Sequence, residues 1–139
     1  MLIQYSDLIP IRFQKVVLFH AYSSIILGNE EKSFAIHVES SAGVALQSLL
    51  DGKMKARPSS HELIEFAFKG MEINVKQIVI YNYKDCIFYS QLFIEQKSDI
   101  TRIAKIDARP SDSIILALRY HAPIYCLREV FDSTVSYVK

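Results

Sequence analysis

Apolar and polar positions along this chain alternate between the spacing of strands and the spacing of helices. From Ile11 to Val38 the apolar residues form short β-branched and aromatic runs, Val16-Val17-Leu18-Phe19, Ile25-Ile26-Leu27 and Phe34-Ala35-Ile36-His37-Val38, separated by polar breaks. These runs predict strands, and Gly28-Asn29-Glu30-Glu31 predicts a hairpin turn. Between Ala42 and Leu50 the spacing becomes helical. Val44, Ala45, Leu46 and Leu49 share a face, Ser40-Ser41 offer an N-cap, and the helix is expected to stop near Gly52.

A second helix is predicted from Ser59, because Glu62 stands at its third position and completes a capping box. Leu63, Phe66 and Ala67 are expected on its buried side. β character returns at Ile73 and continues through Ile78-Val79-Ile80-Tyr81, Ile87-Phe88-Tyr89 and Leu92-Phe93-Ile94, with Asn82-Tyr83-Lys84-Asp85 as a turn. This reads as an antiparallel meander. A further strand, Ile100 to Ile106, runs into a helix marked by Ile114, Ile115, Ala117 and Leu118, and Pro123 to Leu127 reads as a short closing strand. The tail from Arg128 is expected to add one helical turn. The order implies an α+β fold, a mixed and mainly antiparallel sheet with about three helices packed on it. One domain over residues 1–139 is expected, with its motif-bearing core at residues 16–130.

Composition narrows the picture. A chain of 139 residues, 50% hydrophobic and 22% charged, is long enough to bury a core unaided and lies outside the disordered regime. Sixteen basic against fifteen acidic side chains leave a net charge of +1, so any nucleic acid must meet a local patch rather than a basic surface. Lys53, Lys55 and Arg57 form the best local run. Cys86 and Cys126, the two cysteines, sit among apolar residues and read as buried thiols, not as a disulfide or zinc site. Met1 to Pro10 lacks the basic and apolar regions of a leader, and no stretch approaches the roughly 20 apolar residues of a membrane span. A soluble, cytoplasmic protein is expected.

One short echo carries candidate chemistry. Ala56-Arg57-Pro58-Ser59 recurs as Ala108-Arg109-Pro110-Ser111, each before a predicted helix. Proline suits a first helical turn and serine suits a cap, so the echo is explicable as two helix starts. Around the second copy, Asp107, Arg109 and Asp112 cluster, with Arg119 two turns further on. Such a group can cap and neutralise a helix end, or it can offer guanidinium to a phosphate and carboxylate to a metal or water. The first copy adds His61 and Glu62 beside Arg57, at a helix start that already favours anions. Phosphodiester hydrolysis needs a base for water, cations for the phosphoryl charge and an acid for the leaving oxygen. His61 can serve as base or acid, Arg57 and Arg109 can hold phosphate, and Glu62, Asp107 and Asp112 can bind a divalent ion. His20, His37 and His121 lack ligand spacing, and no dinucleotide fingerprint, P-loop or serine-hydrolase elbow occurs. Tyr81, Tyr83 and Tyr89 can stack on bases but are expected to pack across strands.

Arg57-Pro58-Ser59-Ser60-His61-Glu62-Leu63, the Ile78-Val79-Ile80 strand, Asp107-Ala108-Arg109-Pro110-Ser111-Asp112-Ser113-Ile114 with Leu116-Ala117-Leu118-Arg119, and Ala122-Pro123-Ile124-Tyr125 resemble the bifunctional nuclease domain in order and spacing. The resemblance implies a compact mixed α and β domain and nuclease activity on DNA and RNA. It carries over the polar motif members: His61, Glu62, Asp107 and Asp112 as catalytic, Arg57, Arg109 and Arg119 as substrate-binding, and Glu62, Asp107 and Asp112 toward Mg²⁺ or Mn²⁺. The chain departs from the family pattern in having Ser60-His61-Glu62 for Thr-His-Asp, Ser113 for alanine, and Ala42-Gly43 where a Glu-Ala pair is usual. Two other readings compete: a non-catalytic phosphate- or protein-binding module whose Arg and Asp residues form a fixed ion-pair network, and a homo-oligomer supported by the Tyr-rich meander. The nuclease reading requires both motif copies to converge on a single solvent-reachable hollow.

Overall fold

The computed structural model describes residues 7–53 and 56–138, so Lys55 of the basic run and the opening of the Met1–Pro10 stretch lie outside the described residues. The elements are β1 (Leu8–Leu18), β2 (Tyr22–Gly28), β3 (Ser33–Glu39), α1 (Ser40–Leu50), α2 (Ser60–Gly70), β4 (Ile73–Lys84), β5 (Ile87–Gln96), β6 (Arg102–Ala108), α3 (Pro110–Arg119), β7 (Ile124–Leu127) and α4 (Arg128–Ser133). The strands form one mixed, mostly antiparallel sheet in the order β3-β2-β1-β7-β4-β5-β6, and the fold is α+β as expected.

The sheet is two meanders joined by the last strand. β1, β2 and β3 pair antiparallel, as do β4, β5 and β6, while β7 enters between them, antiparallel to β1 and parallel to β4. The closing strand of the sequence is therefore central in space, and it seals the sheet. Its Ile124, Cys126 and Leu127 join the buried core with Ile9, Ile11, Ile78 and Ile80. Helix α1 packs on β1, β2 and β3, α3 on β4 and β5, and α2 on β4 and α3, while α4 packs on β1, β4 and β7.

Local chemistry explains most element ends. At the β2–β3 turn Asn29 Oδ1 accepts hydrogen bonds from the Glu31 and Lys32 amides, and a Cβ at Gly28 would stand 2.3 Å from the Lys32 carbonyl oxygen, so only glycine fits. The β4–β5 turn lies at Asp85-Cys86, both left-handed at φ 52° and 64°, later than the expected Asn82–Asp85. That places Cys86 at an exposed hairpin tip, against the expected burial; Cys126 alone of the pair is buried. Ile87–Tyr89 and Leu92–Ile94 belong to one strand, β5. The polar Ser90 between them is fully buried and satisfied: its hydroxyl donates to the Ala108 carbonyl at 2.6 Å and lies 2.8 Å from Ser113 Oγ.

Helix ends and faces bring further corrections. Glu39, not Ser40-Ser41, is the N-cap of α1, because β3 stays paired with β2 through Glu39 and the chain enters the helix without a loop. Val44 of the expected apolar face is exposed, whereas Ala42, Gly43 and Leu46 are buried. Gly43 lets the helix approach β2, since a Cβ there would fall 1.9 Å from Ser23 Oγ. The capping box of α2 is present as expected, with the Ser59 amide donating to Glu62 Oε1 at 3.1 Å and the Glu62 amide to Ser59 Oγ at 3.3 Å. Its buried side is not Leu63, Phe66 and Ala67; Leu63 is 62% and Phe66 57% exposed, and Ile64 and Phe68 face the core instead. The same face carries polar contacts to α3.

Candidate functional site

Helices α2 and α3 lie side by side and begin at the same end, and a chain of polar contacts runs between them. His61 Nε2 lies 2.9 Å from Asp112 Oδ1, and one turn further along α2, two along α3, Arg119 Nη1 donates to Glu65 Oε2 at 2.8 Å. His61 and Glu65 are four residues apart on one face of α2, which is why that face, and not the Leu63–Phe66 face, turns inward.

The two Ala-Arg-Pro-Ser copies meet here in different helical registers. In the first, Ser59 is the N-cap and Pro58 precedes the helix; in the second, Arg109 is the N-cap and Pro110 occupies the first turn. Asp112 and Glu62 both fall in a first turn, where a carboxylate complements the helix dipole. Glu62 spends its carboxylate on the capping box. Asp112, at the same position of α3, instead meets His61 and Arg109.

Asp112 is the hub. Arg109 Nε donates to its Oδ2 at 3.0 Å, and Arg109 Nη1 reaches Glu39 Oε1 at 2.9 Å, so the run Glu39–Arg109–Asp112–His61 joins α1, α3 and α2. Burial opposes ionisation of Asp112, yet the hydrogen bonds from Arg109 and His61 outweigh it and hold its pKa below the ordinary value. The same hydrogen bond, with the charges of Asp112 and Glu39, holds Arg109 more firmly in its charged form. The His61 side chain is 15% exposed and that of Asp112 33%, whereas Arg109 remains 65% exposed, so the run is anchored inside and ends in a solvent-facing guanidinium.

Other expected site residues stand apart from this hub. Asp107, on β6, accepts a hydrogen bond from the Tyr81 hydroxyl at 3.1 Å; burial first, then that bond to Asp107, raises the Tyr81 pKa. Arg57 is exposed, with no hydrogen bond or ion pair among the described residues. Arg119 is committed to Glu65, and its buried Nε has no partner among the described residues. The expected convergence on a single hollow is not what the structure shows. His61, Glu62, Arg119 and Lys53 line a hollow of about 200 Å³ between α1, α2 and α3, whereas Asp107, Arg109 and Glu39 line another of about 320 Å³ beside the β4–β5 hairpin. The hub lies at the boundary, with His61 in one wall and Arg109 in the other.

The carboxylates Glu62, Asp107 and Asp112 were expected to share a metal ion. Among the described residues, no group of three or more His, Cys, Asp or Glu side chains is gathered closely enough to hold one. A capping box, a tyrosine hydroxyl and an ion-pair hub occupy these three groups, so the described residues do not form a metal cage. The sequence reading missed Glu39 and Glu65. Glu65 was findable, four residues from His61 on one helix; nothing in the local sequence around Glu39 points to Arg109. Among the described residues no helix is long and apolar enough to cross a membrane.

Comparison with known proteins adds a family. A family model described as bifunctional nuclease domain matches residues 25–139. Two uncharacterized proteins of Mycobacterium tuberculosis, MT1877 of strain CDC 1551 / Oshkosh and Rv1829 of strain ATCC 25618 / H37Rv, are each 30% identical to the chain over 97 residues. These alignments cover 70% of the chain and 56% of each relative, so the chain spans little more than half the length of the curated relatives it matches.

Proposed function

Since the chain belongs to the bifunctional nuclease domain family, we propose that it hydrolyses phosphodiester bonds in DNA or RNA at the junction of α2 and α3. The observation that supports this reading is the 2.9 Å contact between His61 and Asp112, which joins the two motif copies at adjacent helix starts although their residues line two hollows and not the single one expected from the sequence. With Nε2 donating its proton to Asp112, the ring keeps a lone pair on Nδ1, which makes no hydrogen bond among the described residues. Asp112 thereby orients the imidazole and stabilises the imidazolium that forms when Nδ1 takes a proton from the attacking water; the new P–O bond forms as the P–O bond to the leaving oxygen breaks, and that oxygen takes its proton from solvent. Arg109, held by Asp112 and Glu39, offers its exposed side to the phosphoryl oxygens. The positive ends of α2 and α3, with Arg57 and Lys53 nearby in the chain, favour the same anion. Glu62 acts as a helix cap.

A specific observation favours a second reading. The partners of Arg109 and Arg119 are carboxylates of the chain itself, as in a fixed ion-pair network that binds a phosphate or a protein without chemistry. Cleavage of labelled single-stranded RNA and DNA by the wild type, His61→Ala and Asp112→Asn, with and without Mg²⁺ or Mn²⁺, separates the two. Cleavage by the wild type that both substitutions abolish supports the nuclease; equal cleavage by all three proteins points to a contaminant and removes this site.

A further inference from the structure

A larger cavity, about 520 Å³, opens beside the hollow that holds Arg109, and its walls include the aromatic rings of Phe19, Tyr22, Phe34, Tyr83, Phe88 and Tyr137. His37, Cys86 and Phe88 line both, so the two spaces adjoin. We infer that this cavity receives an unpaired base of a single-stranded nucleic acid whose phosphate lies at Arg109. The phosphate end rests on the nuclease reading above; the base end rests on the walls described here.

The walls suit a base for separate reasons. Volumes of about 300–1,000 Å³ are those of pockets that enclose small ligands, and a nucleoside is at the lower end of that class. Phe19 and Tyr22 stack on each other at 4.9 Å between centroids yet remain 49% and 40% exposed, which leaves ring surface at the rim. Exposed π faces accept any base by stacking, with no need for a particular sequence. Inside, Ser24 Oγ lies 2.7 Å from His37 Nδ1, and His37 Nε2 makes no hydrogen bond among the described residues, so it can address the polar edge of a base. Charge completes the fit. Lys15 Nζ stands 5.4 Å from the centre of the Tyr137 ring at this cavity, while Arg109 lines the adjoining hollow, so cations flank the aromatic stretch as phosphates flank a base. A base within a duplex cannot enter without leaving its stack, so the cavity selects single strands.

The test is fluorescence anisotropy of the full chain with a labelled phosphorothioate oligothymidylate, which resists cleavage, and with the same strand annealed to its complement. The single strand is expected to bind about tenfold more tightly than the duplex, the stacking of a base being the difference. Tyr22→Ala is expected to lose about tenfold on the single strand and nothing on the duplex, while Tyr22→Phe, which keeps the ring, retains wild-type binding. Equal affinity for single strand and duplex, no binding at all, or unchanged single-strand binding by both Tyr22→Ala and Phe19→Ala overturns the inference. Self-association in sedimentation that Tyr22→Ala abolishes assigns the cavity to a second copy and also overturns it. The nuclease reading fails separately: a wild type that binds the single strand in this way but leaves an ordinary oligonucleotide intact retains the base cavity and lacks the chemistry.

Discussion

His61 on α2 and Asp112 on α3 are 2.9 Å apart although about fifty residues separate them in the chain, and both belong to first helical turns. The contact ties the two motif copies together. Under the proposed function, His61→Ala and Asp112→Asn each lower single-turnover cleavage by about 10²–10⁴-fold, the usual range for a general base. Each also costs about 1–2 kcal/mol of stability, because a hydrogen bond to a charged group is lost at a half-buried site. Denaturant unfolding separates the two effects: a variant that remains folded in the assay buffer but is inactive has lost chemistry, not structure.

The pH dependence of stability follows from the direction of the Asp112 shift. Its pKa in the folded protein is below the ordinary value of 3.8, so the unfolded chain binds this proton first. The contribution is fully present above pH 3.8 and is lost as pH falls through the lower folded value. The stability gap between wild type and Asp112→Asn should therefore close as pH falls below 3.8. A gap that persists undiminished in strong acid would contradict the assigned contacts.

Ser90 and Ser113 share a hydrogen bond at fully buried positions in the seam of β5, β6 and α3. Ser90→Ala leaves the Ser113 hydroxyl buried without this partner and should cost about 1–3 kcal/mol. Ser113→Ala should cost less, since Ser90 still donates to Ala108. The double variant is expected to be less destabilised than the sum of the singles, as measured in a double-mutant cycle.

Gly43→Ala sets two effects against each other. Helix propensity alone would gain about 1 kcal/mol, but the added Cβ would meet Ser23 Oγ at 1.9 Å, and overpacking of this kind costs about 1–3 kcal/mol. The added Cβ would meet Ser23 Cβ as well as Oγ, so rotating the hydroxyl does not relieve the clash, and the expected outcome is net destabilisation, partly relieved by a second change, Ser23→Gly. Thermal unfolding of the wild type, Gly43→Ala and the double variant checks the order.

The thiols should differ in reactivity. Cys86 is exposed at a hairpin tip, whereas burial pushes the Cys126 thiol up to about 12. Titration with a chromogenic disulfide at neutral pH should modify Cys86 in the native protein and Cys126 only after unfolding.

What the sequence alone determined was local. The spacing of apolar residues marks the strands and helices, Asn29 beside Gly28 marks a turn, and the Ser59–Glu62 capping box marks the start of α2, because each depends on residues within a few positions of one another. The tertiary structure decided everything that depends on distant chain segments. It turned α2 so that Ile64 and Phe68 are inside and Leu63 and Phe66 outside, since His61 and Glu65 bind partners on α3 that the helix pattern of α2 does not encode. It set the closing strand at the centre of the sheet and put Cys86 in solvent. It also divided the candidate residues between two hollows and brought Glu39 to Arg109. Hydrophobic periodicity records which residues avoid water, but the partner of a charge is chosen by where separate elements come to rest.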